Sequence, residues 1–376
     1  MNDLTPELFL EKYWQKQPLI IKGAFPDFVD PIDANELAGL AMEEFIESRI
    51  IANKDNQWQV KHGPFEDFSE FGDNNWTLLV QAVNNWFAGV NDLITPFMFV
   101  PKWRIDDVMV SFSTPGGGVG PHLDQYDVFI IQGEGKRRWR VGKPDDTLQQ
   151  LLPHEDLKQV SDFEAIIDEI TEPGDLLYIP PNHPHDGVAI DNSLNYSVGF
   201  QAPNAQELTS GFADHLLDNN LFEQRFDDSA RIATKTPHIL TSDDIKLLTN
   251  VMVDALQHND IVADFLGKQL TNVHHTLNLL IPTEPLSFAL ILDILQAGEE
   301  LNAVLGSKAL IINQDTFKRL YINGESFELY DETIELAEKL AQTAPLNAEN
   351  LESSLDSLKN QQLLTSVINK GLWSFE

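Results

Sequence analysis

The chain of 376 residues contains no cysteine. Disulfides, zinc–thiolate sites and thiol nucleophiles are therefore excluded, and any bound metal must rely on histidine and carboxylate ligands. Basic residues are also scarce. The chain has 25 Lys and Arg but 59 Asp and Glu, which gives a formal net charge of -34. Such a surface repels nucleic acid and acidic membranes and favours basic partners; a merely soluble, self-repelling surface is an equally good interpretation.

The sequence also lacks long apolar runs. None approaches the ~20 residues that span a bilayer, and residues 1–7 lack the basic and apolar segments of a signal peptide. We therefore expect a cytoplasmic protein without membrane contact. The length predicts two or three domains.

Hydrophobic periodicity changes along the chain. In the first part, Thr5-Pro6 is typical of a helix start. The other elements predicted there are a strand over 19–23, helices over 34–47 and 76–86, and short strands over 49–52 and 57–61.

Between residues 107 and 201 the period becomes two, with Gly, Pro or Asn between the runs. Many short strands at close spacing indicate a sandwich or barrel. The predicted strands cover 107–113, 122–124, 127–132, 137–142, 176–179, 187–190 and 194–201.

After Pro203 the pattern becomes helical, with one exception. Asn323-Gly324 between two apolar runs predicts a β-hairpin. The predicted helices cover 205–217, 242–256, 261–270, 288–295, 332–342 and 349–359. The chain is therefore predicted to be an α+β protein.

His122 and Asp124 are the most informative residues. Residues two apart on a strand point to the same face. With a later histidine they would complete the two-histidine, one-carboxylate set that holds Fe(II) and leaves coordination positions open. His185 and His183 compete for that third place; His185 is preferred because a proline before it and Gly187 after it define a tight strand entry.

Arg137 alternates with Trp139 and Val141, which predicts an inward-facing guanidinium. A buried guanidinium is costly unless an anion pairs with it, and a dicarboxylate cosubstrate would supply one. A structural ion pair with a buried carboxylate, or an edge strand exposed to solvent on both faces, would also explain the pattern.

Two other strands each carry a polar face, formed by Met109, Ser111 and Ser113 and by Asn195, Ser197 and Gly199. A polar barrel interior indicates a ligand site. From alternation alone, faces turned to solvent are equally well supported.

Several motifs together resemble the JmjC ribosomal-oxygenase family, and in particular its bacterial branch of arginine 3-hydroxylases. The first motif runs from Val110 through Pro121-His122-Leu123-Asp124 to Trp139. The second runs from Gly174 through Pro184-His185-Asp186-Gly187 to Phe200, and the similarity extends over the whole chain.

This resemblance implies a double-stranded β-helix, that is, a cupin-like jelly-roll barrel, over residues 91–203. It implies an N-terminal part over 1–90 that packs on the barrel, a helical dimerisation region over 204–282 and a winged-helix-like domain over 283–376. It also implies a homodimer that hydroxylates an arginine of a basic protein of the large ribosomal subunit.

The resemblance also implies site residues and cofactors. Fe(II) would bind to His122, Asp124 and His185, and the distal carboxylate of 2-oxoglutarate to Arg137 and Ser111. O2 is the other cosubstrate. Asn195 is a further possible contact, and Tyr126 with nearby acidic residues would hold the target side chain.

Other functions remain open at this point. A metal-binding cupin without activity would keep His122 and Asp124 but would not need Arg137, and a JmjC oxygenase could act on another basic protein. The winged-helix-like segment is acidic, with Glu299, Glu300 and Glu325 prominent. We therefore expect a protein-interaction module and no direct contact with nucleic acid.

Overall fold

A computed structural model describes residues 4–55 and 57–375. Residues 1–3, which belong to the polar start considered above, lie outside the described residues, as do Asn56 and Glu376. Across the described ranges, no helix has both the length and the apolar character needed to cross a membrane.

In the described residues, nine consecutive strands form the middle of the chain, and the helices lie before and after them. The strands are β1 (Leu19–Ile21), β2 (Ser48–Lys54), β3 (Gln57–His62), β4 (Trp76–Val80), β5 (Ile105–Ser113), β6 (Val128–Gln132), β7 (Arg137–Gly142), β8 (Gln150–His154), β9 (Leu157–Val160), β10 (Ala165–Thr171), β11 (Leu176–Ile179), β12 (His185–Ala189), β13 (Ser193–Phe200), β14 (Leu301–Ala303), β15 (Ala309–Asn313), β16 (Lys318–Ile322), β17 (Glu325–Glu328) and β18 (Trp373–Phe375). The helices are α1 (Pro6–Lys12), α2 (Ala34–Leu40), α3 (Ala88–Asp92), α4 (Ala205–Asp218), α5 (Ser242–Leu256), α6 (Asn259–Thr271), α7 (Phe288–Gln296), α8 (Ile334–Gln342), α9 (Ala348–Leu351) and α10 (Leu358–Asn369).

Two sheets form the predicted barrel. The larger has the order β1-β11-β6-β13-β5-β4-β2-β3, and the smaller has the order β10-β7-β12. Val128 and Ile130 of the larger sheet pack against Trp139 and Val141 of the smaller one. This two-layer arrangement confirms the predicted jelly-roll barrel within an α+β chain.

The N-terminal helix closes one side of the barrel. Thr5 caps α1, and its side chain accepts a hydrogen bond from Leu8 N at 3.3 Å, as the Thr-Pro start predicts. The buried ring of Phe9 lies 4.9 Å from the ring of Tyr178 and 5.3 Å from that of Phe129, both in barrel strands.

Two predictions for this N-terminal part are wrong. Residues 76–86 are not a helix: β4 covers Trp76–Val80, and all five of its residues are buried. A strand covered on both faces is a continuous apolar run, which periodicity cannot distinguish from a helix. The helix predicted over 34–47 ends at Leu40, and turns follow it.

The strand predicted over 122–124 is also wrong. His122 forms only isolated bridges, to Gln159 and to His185, and Asp124 lies in a loop. Pro121 has no N–H to donate to a sheet. Strand parity is therefore not the reason that the two side chains converge.

Further differences concern elements with a weak apolar signal. β8, β9 and β10 were not predicted, because β8 is mostly exposed and β10 alternates only partly. The helix predicted over 349–359 is divided into α9 and α10, since Ser357 caps a new helix with its hydroxyl.

A second hydrophobic core lies in the C-terminal part. α7, α8 and α10 surround it together with β16, and Trp373 is fully buried there. The predicted hairpin is confirmed: Asn323 and Gly324, both with positive φ, join β16 to β17. Helices with a β-wing agree with the winged-helix-like architecture.

Candidate metal centre

His122, Asp124 and His185 converge at one end of the barrel. Their ligand atoms all lie within 4.8 Å of one another. Asp124 Oδ2 is 3.5 Å from His185 Nε2 and 4.0 Å from His122 Nε2. Three atoms at such spacing, two nitrogens and one carboxylate oxygen, can surround a single metal ion and leave its remaining positions open.

The backbone fixes each member of this cluster. His122 and His185 exchange two N–H···O bonds of 3.0 Å, and the N–H of Asn182 donates to Asp124 O at 2.7 Å. His122 Nδ1 lies 2.9 Å from the backbone oxygen of Gly120, and His185 Nδ1 lies 2.9 Å from the backbone oxygen of His183. With Nδ1 donating to a carbonyl, Nε2 of each ring is left free to bind metal.

His183 does not join the cluster. Its ring is buried, and its Nδ1 lies 3.1 Å from Pro181 O. Of the two competing histidines, the structure therefore brings His185 to His122 and Asp124.

The protonation states of the cluster suit a cation. Burial, and next the neighbouring His185, lower the pKa of His122 to about 4. Burial alone would raise the pKa of Asp124, but the hydrogen bond with His185 and the charges of both histidines outweigh it and hold that pKa at about 2. His185 has a raised pKa because its contacts with Asp124 outweigh the effect of burial. His122 and Asp124 therefore have the forms that a metal requires, a neutral imidazole and a carboxylate, whereas a metal would displace the proton that Asp124 favours on His185.

Close packing of the backbone forms the floor of the site. A Cβ on Gly187 would lie 2.6 Å from the ring of Trp139, and a Cβ on Gly118 would lie 2.5 Å from Gly187 O. The Gly-rich loop therefore comes close to β12 because Gly118 has no side chain, and Trp139 covers the strand that carries His185.

Arg137 points into the barrel, as its alternation predicts. It is 5% exposed, and its guanidinium donates to Ser113 Oγ and lies 5.7 Å from the ring centroid of Trp139. Among the described residues, Nε has no hydrogen-bond partner and no carboxylate forms an ion pair with the group. Burial lowers the pKa of Arg137 to about 10. This is a buried cation that lacks its anion.

The polar faces of β5 and β13 also turn inward. Ser111 lies opposite Asn195 in the sheet, and both are buried. Asn195 donates to Gln132 Oε1 at 2.9 Å, while its own Oδ1 has no partner within the described ranges. The solvent-facing interpretation is wrong for these residues, and they offer free polar groups to a ligand beside Arg137.

Sequence reasoning missed two groups of this interior. Ser113, which was predicted only as part of the polar face of β5, accepts a hydrogen bond from Arg137. Arg49 of β2 is aligned with Ser111 across the sheet, because Arg49 pairs with Leu79 and Leu79 pairs with Ser111. The Nε atom of Arg49 is buried and has no hydrogen-bond partner in the described part of the chain. No motif marks Arg49; only the alternation of β2 could have indicated it.

The barrel and this three-residue cluster define a JmjC-type metal-binding barrel. A JmjC domain model matches residues 92–208, and a ROXA-like winged-helix model matches residues 254–374. The ribosomal protein uL16 3-hydroxylase of Escherichia coli is 45% identical over 368 residues, 98% of this chain and 97% of the relative.

Solved structures agree. An X-ray structure of E. coli YcfD superposes with a TM-score of 0.94 at 44% identity, covering 100% of this chain and 99% of that chain. YcfD in complex with cobalt and 2-oxoglutarate superposes with a TM-score of 0.90 at 42% identity and the same coverage. The chain therefore belongs to the JmjC-domain ribosomal oxygenases.

Proposed function

We propose that this protein is an Fe(II)- and 2-oxoglutarate-dependent protein hydroxylase. The observation that carries the proposal is the pairing of two incomplete features in one barrel. One is the three-ligand cluster with open positions, and the other is Arg137, a buried guanidinium without an anion. Trp139 lies between them, with its ring centroid 6.3 Å from that of His185 and 5.7 Å from the guanidinium of Arg137. 2-Oxoglutarate completes both, because one of its carboxylates can chelate the metal and the other can pair with the guanidinium.

The roles of individual residues are part of this proposal. His122, Asp124 and His185 bind Fe(II), and their fixed backbone and oriented rings support that role. Arg137 binds the distal carboxylate of 2-oxoglutarate, with Ser111 as a hydrogen-bonding partner. Ser111 is buried on the inner face, on the strand of Ser113, which already contacts Arg137.

When bound, iron and 2-oxoglutarate would supply oxygen activation, in which O2 converts 2-oxoglutarate into succinate and CO2 and one oxygen atom is inserted into a C–H bond of the target. The protein supplies orientation and a dry interior. Arg137 and Ser111 fix the cosubstrate at the closed end. Tyr126, which lies near Asp124 and helps to lower the pKa of that carboxyl, is 44% exposed and marks the open side where the target enters.

The substrate that we propose is a basic protein of the large ribosomal subunit, hydroxylated at C3 of an arginine. The E. coli relative is named for uL16, and the formal net charge of -34 suits steering of a basic protein. Asp106 and Asp107 lie near Tyr126, and their charges help to raise the pKa of its phenol after burial and Asp124. A cationic side chain would find these carboxylates at the entrance.

We also propose a homodimer formed through α5. Its apolar side chains are largely exposed, with Met252 at 65%, Leu256 at 57% and Ile245 at 52%. Together with Leu248 they form a stripe at helical spacing, which the described part of the chain leaves uncovered. An exposed apolar stripe of this length is typical of an interface.

The remaining assignments follow the same resemblance. We propose the division into an N-terminal part over 1–90, the barrel over 91–203, the dimerisation region over 204–282 and the winged-helix-like domain over 283–376. We further propose a cytoplasmic location beside the ribosomal target, and a C-terminal domain that contacts protein and not nucleic acid, because its surface is acidic.

The test is turnover with Fe(II), 2-oxoglutarate and ribosomal protein. We expect succinate and a target heavier by one oxygen atom on one arginine, and neither product from Asp124→Ala. Succinate with oxidation of a different basic protein would favour another substrate. Bound iron without succinate on any basic protein would favour a binding cupin and contradict the proposal.

A further inference from the structure

A group of charged side chains outside the metal centre joins the C-terminal domain to the barrel. Lys308, just before β15, is only 7% exposed, and its Nζ donates to Asp106 Oδ1 at 2.7 Å. Its backbone is fixed by the turn of the wing: Lys308 N donates to Asn323 Oδ1 at 2.9 Å, and Asn323 N donates to Lys308 O at 3.0 Å. A buried ammonium is retained only where a partner compensates it.

His275 makes a second link to the barrel. It contacts Asp107, the residue that follows Asp106 in β5. Its Nε2 is 3.9 Å from Asp107 Oδ2, and its Nδ1 is 3.5 Å from Glu47 Oε2. The same Asp107 oxygen accepts a hydrogen bond from Ala82 N at 2.9 Å. Asn85 Nδ2 donates to the carbonyl of the next residue, Thr276, at 3.2 Å and holds the segment in place.

These links end close to the metal centre. A Cβ on Gly199 would lie 3.4 Å from Asp107 Oδ1, so the carboxylate lies against the inner end of β13. Gly199 pairs with Val128, and Tyr126 precedes Val128 by two residues and lies close enough to the ligand Asp124 to lower the pKa of that carboxyl. Asp107 therefore lies at the entrance that the target side chain must pass.

Two adjacent carboxylates at this entrance repel each other. Burial, and next the charge of Asp106, raise the pKa of Asp107, whereas the N–H of Ala82 and the charges of His275 and Lys308 oppose them. Lys308 draws the carboxylate of Asp106 into an ion pair of its own. This leaves Asp107 as the carboxylate that faces the interior.

We propose that Lys308 of the winged-helix-like domain and His275 of the segment before it are positioning residues, which keep the carboxylate of Asp107 in place to receive the cationic side chain of the target. The winged-helix-like domain is then part of the substrate entrance. This inference rests on the proposed function, since it requires a cationic target.

The test compares Lys308→Met with Lys370→Met in the full-length protein. Lys370 is a matched control because its ion pair with Glu325, 2.8 Å long, lies in the same domain and is half exposed. With a basic ribosomal-protein peptide, we expect Lys308→Met to raise the KM for peptide about threefold to tenfold, which is within the range for coupled members of one charge network. The KM for 2-oxoglutarate and the kcat should change little, and Lys308→Arg should restore the KM for peptide.

An unchanged KM for peptide in folded Lys308→Met would refute the inference, as would an equal rise in Lys370→Met or a parallel rise in both KM values. Lys308→Gln, which removes the charge but keeps a polar side chain, tests the inference if Lys308→Met does not fold. Wild-type protein that forms no succinate would refute the proposed function itself. Wild-type turnover with no effect of either substitution would refute only the inference.

Discussion

Replacing Arg137 by Met should stabilise the protein while it removes the response to 2-oxoglutarate. Methionine fills a similar volume without a charge. The reason lies in the state of the guanidinium before the cosubstrate binds: it is 5% exposed, has one hydroxyl partner and no carboxylate partner in the described residues.

The size of the effect follows from the pKa of Arg137. Burial lowers it from 12.5 to about 10, and this difference corresponds to ~3 kcal/mol of destabilisation of the charged, folded form. The penalty is fully present below pH 10, where the group is charged in both states, and it declines as the pH rises from about 10 to 12.5. Loss of the contacts with Ser113 and Trp139 offsets about half of the gain, so the net stabilisation is ~1–2 kcal/mol.

The assay is thermal unfolding at neutral pH, with Mn(II) in place of Fe(II) so that no turnover occurs. Without 2-oxoglutarate, Arg137→Met should melt above the wild type, by about 2–4 °C for each kcal/mol in a barrel of this size. With 2-oxoglutarate at a hundredfold excess over its Kd, the wild type should gain ~2.7 kcal/mol. The variant should gain little, so the order of the two proteins should reverse.

Arg138→Met is the control. Arg138 lies next on the same strand, is exposed, and donates to Asp168 at 2.7 and 2.6 Å. This variant should keep the wild-type response to 2-oxoglutarate. If Arg137→Met is less stable than the wild type and still responds fully to 2-oxoglutarate, Arg137 is a structural residue and the assignment of the cosubstrate site fails.

Three further predictions concern the ligands, the packing and the assembly. His185→Ala should lose bound iron while His183→Ala keeps it, as metal analysis would show; retention by His185→Ala would mean that a different third ligand serves. Gly187→Ala places a Cβ 2.6 Å from the ring of Trp139, so it should cost ~1–3 kcal/mol in unfolding experiments and weaken iron binding; an unaltered protein would show that the ring moves freely. Met252→Glu should give monomers in light scattering, because it puts a charge into the exposed stripe of α5; an unchanged dimer mass would place the interface elsewhere.

The fold could be predicted where the sequence carries local signals. Thr5-Pro6 correctly predicted a helix start, and Asn323-Gly324 correctly predicted a hairpin. Both signals are local, because capping and positive φ depend on only a few neighbouring residues. The strand Trp76–Val80 was missed because burial on both faces removes the alternation. β8 was missed because its exposed residues carry no apolar pattern at all.

The site was predicted more completely than the reasons for its geometry. His122, Asp124, His185 and Arg137 could be named from motifs, and the structure brings the first three together. Their convergence depends on long-range hydrogen bonds, such as the two between His122 and His185, which no local pattern encodes. Likewise, Arg49 can be recognised as a residue of the barrel interior only once the register of the sheet is known.

The central claim is that this protein uses O2 and 2-oxoglutarate to hydroxylate a basic ribosomal protein. The most direct test supplies isotopically labelled O2 together with Fe(II), 2-oxoglutarate and the ribosomal protein. The account predicts one labelled oxygen atom in an arginine of the target and the other in succinate, in equal amounts. Succinate without label in the target, or a target oxygen that comes from water, would contradict it.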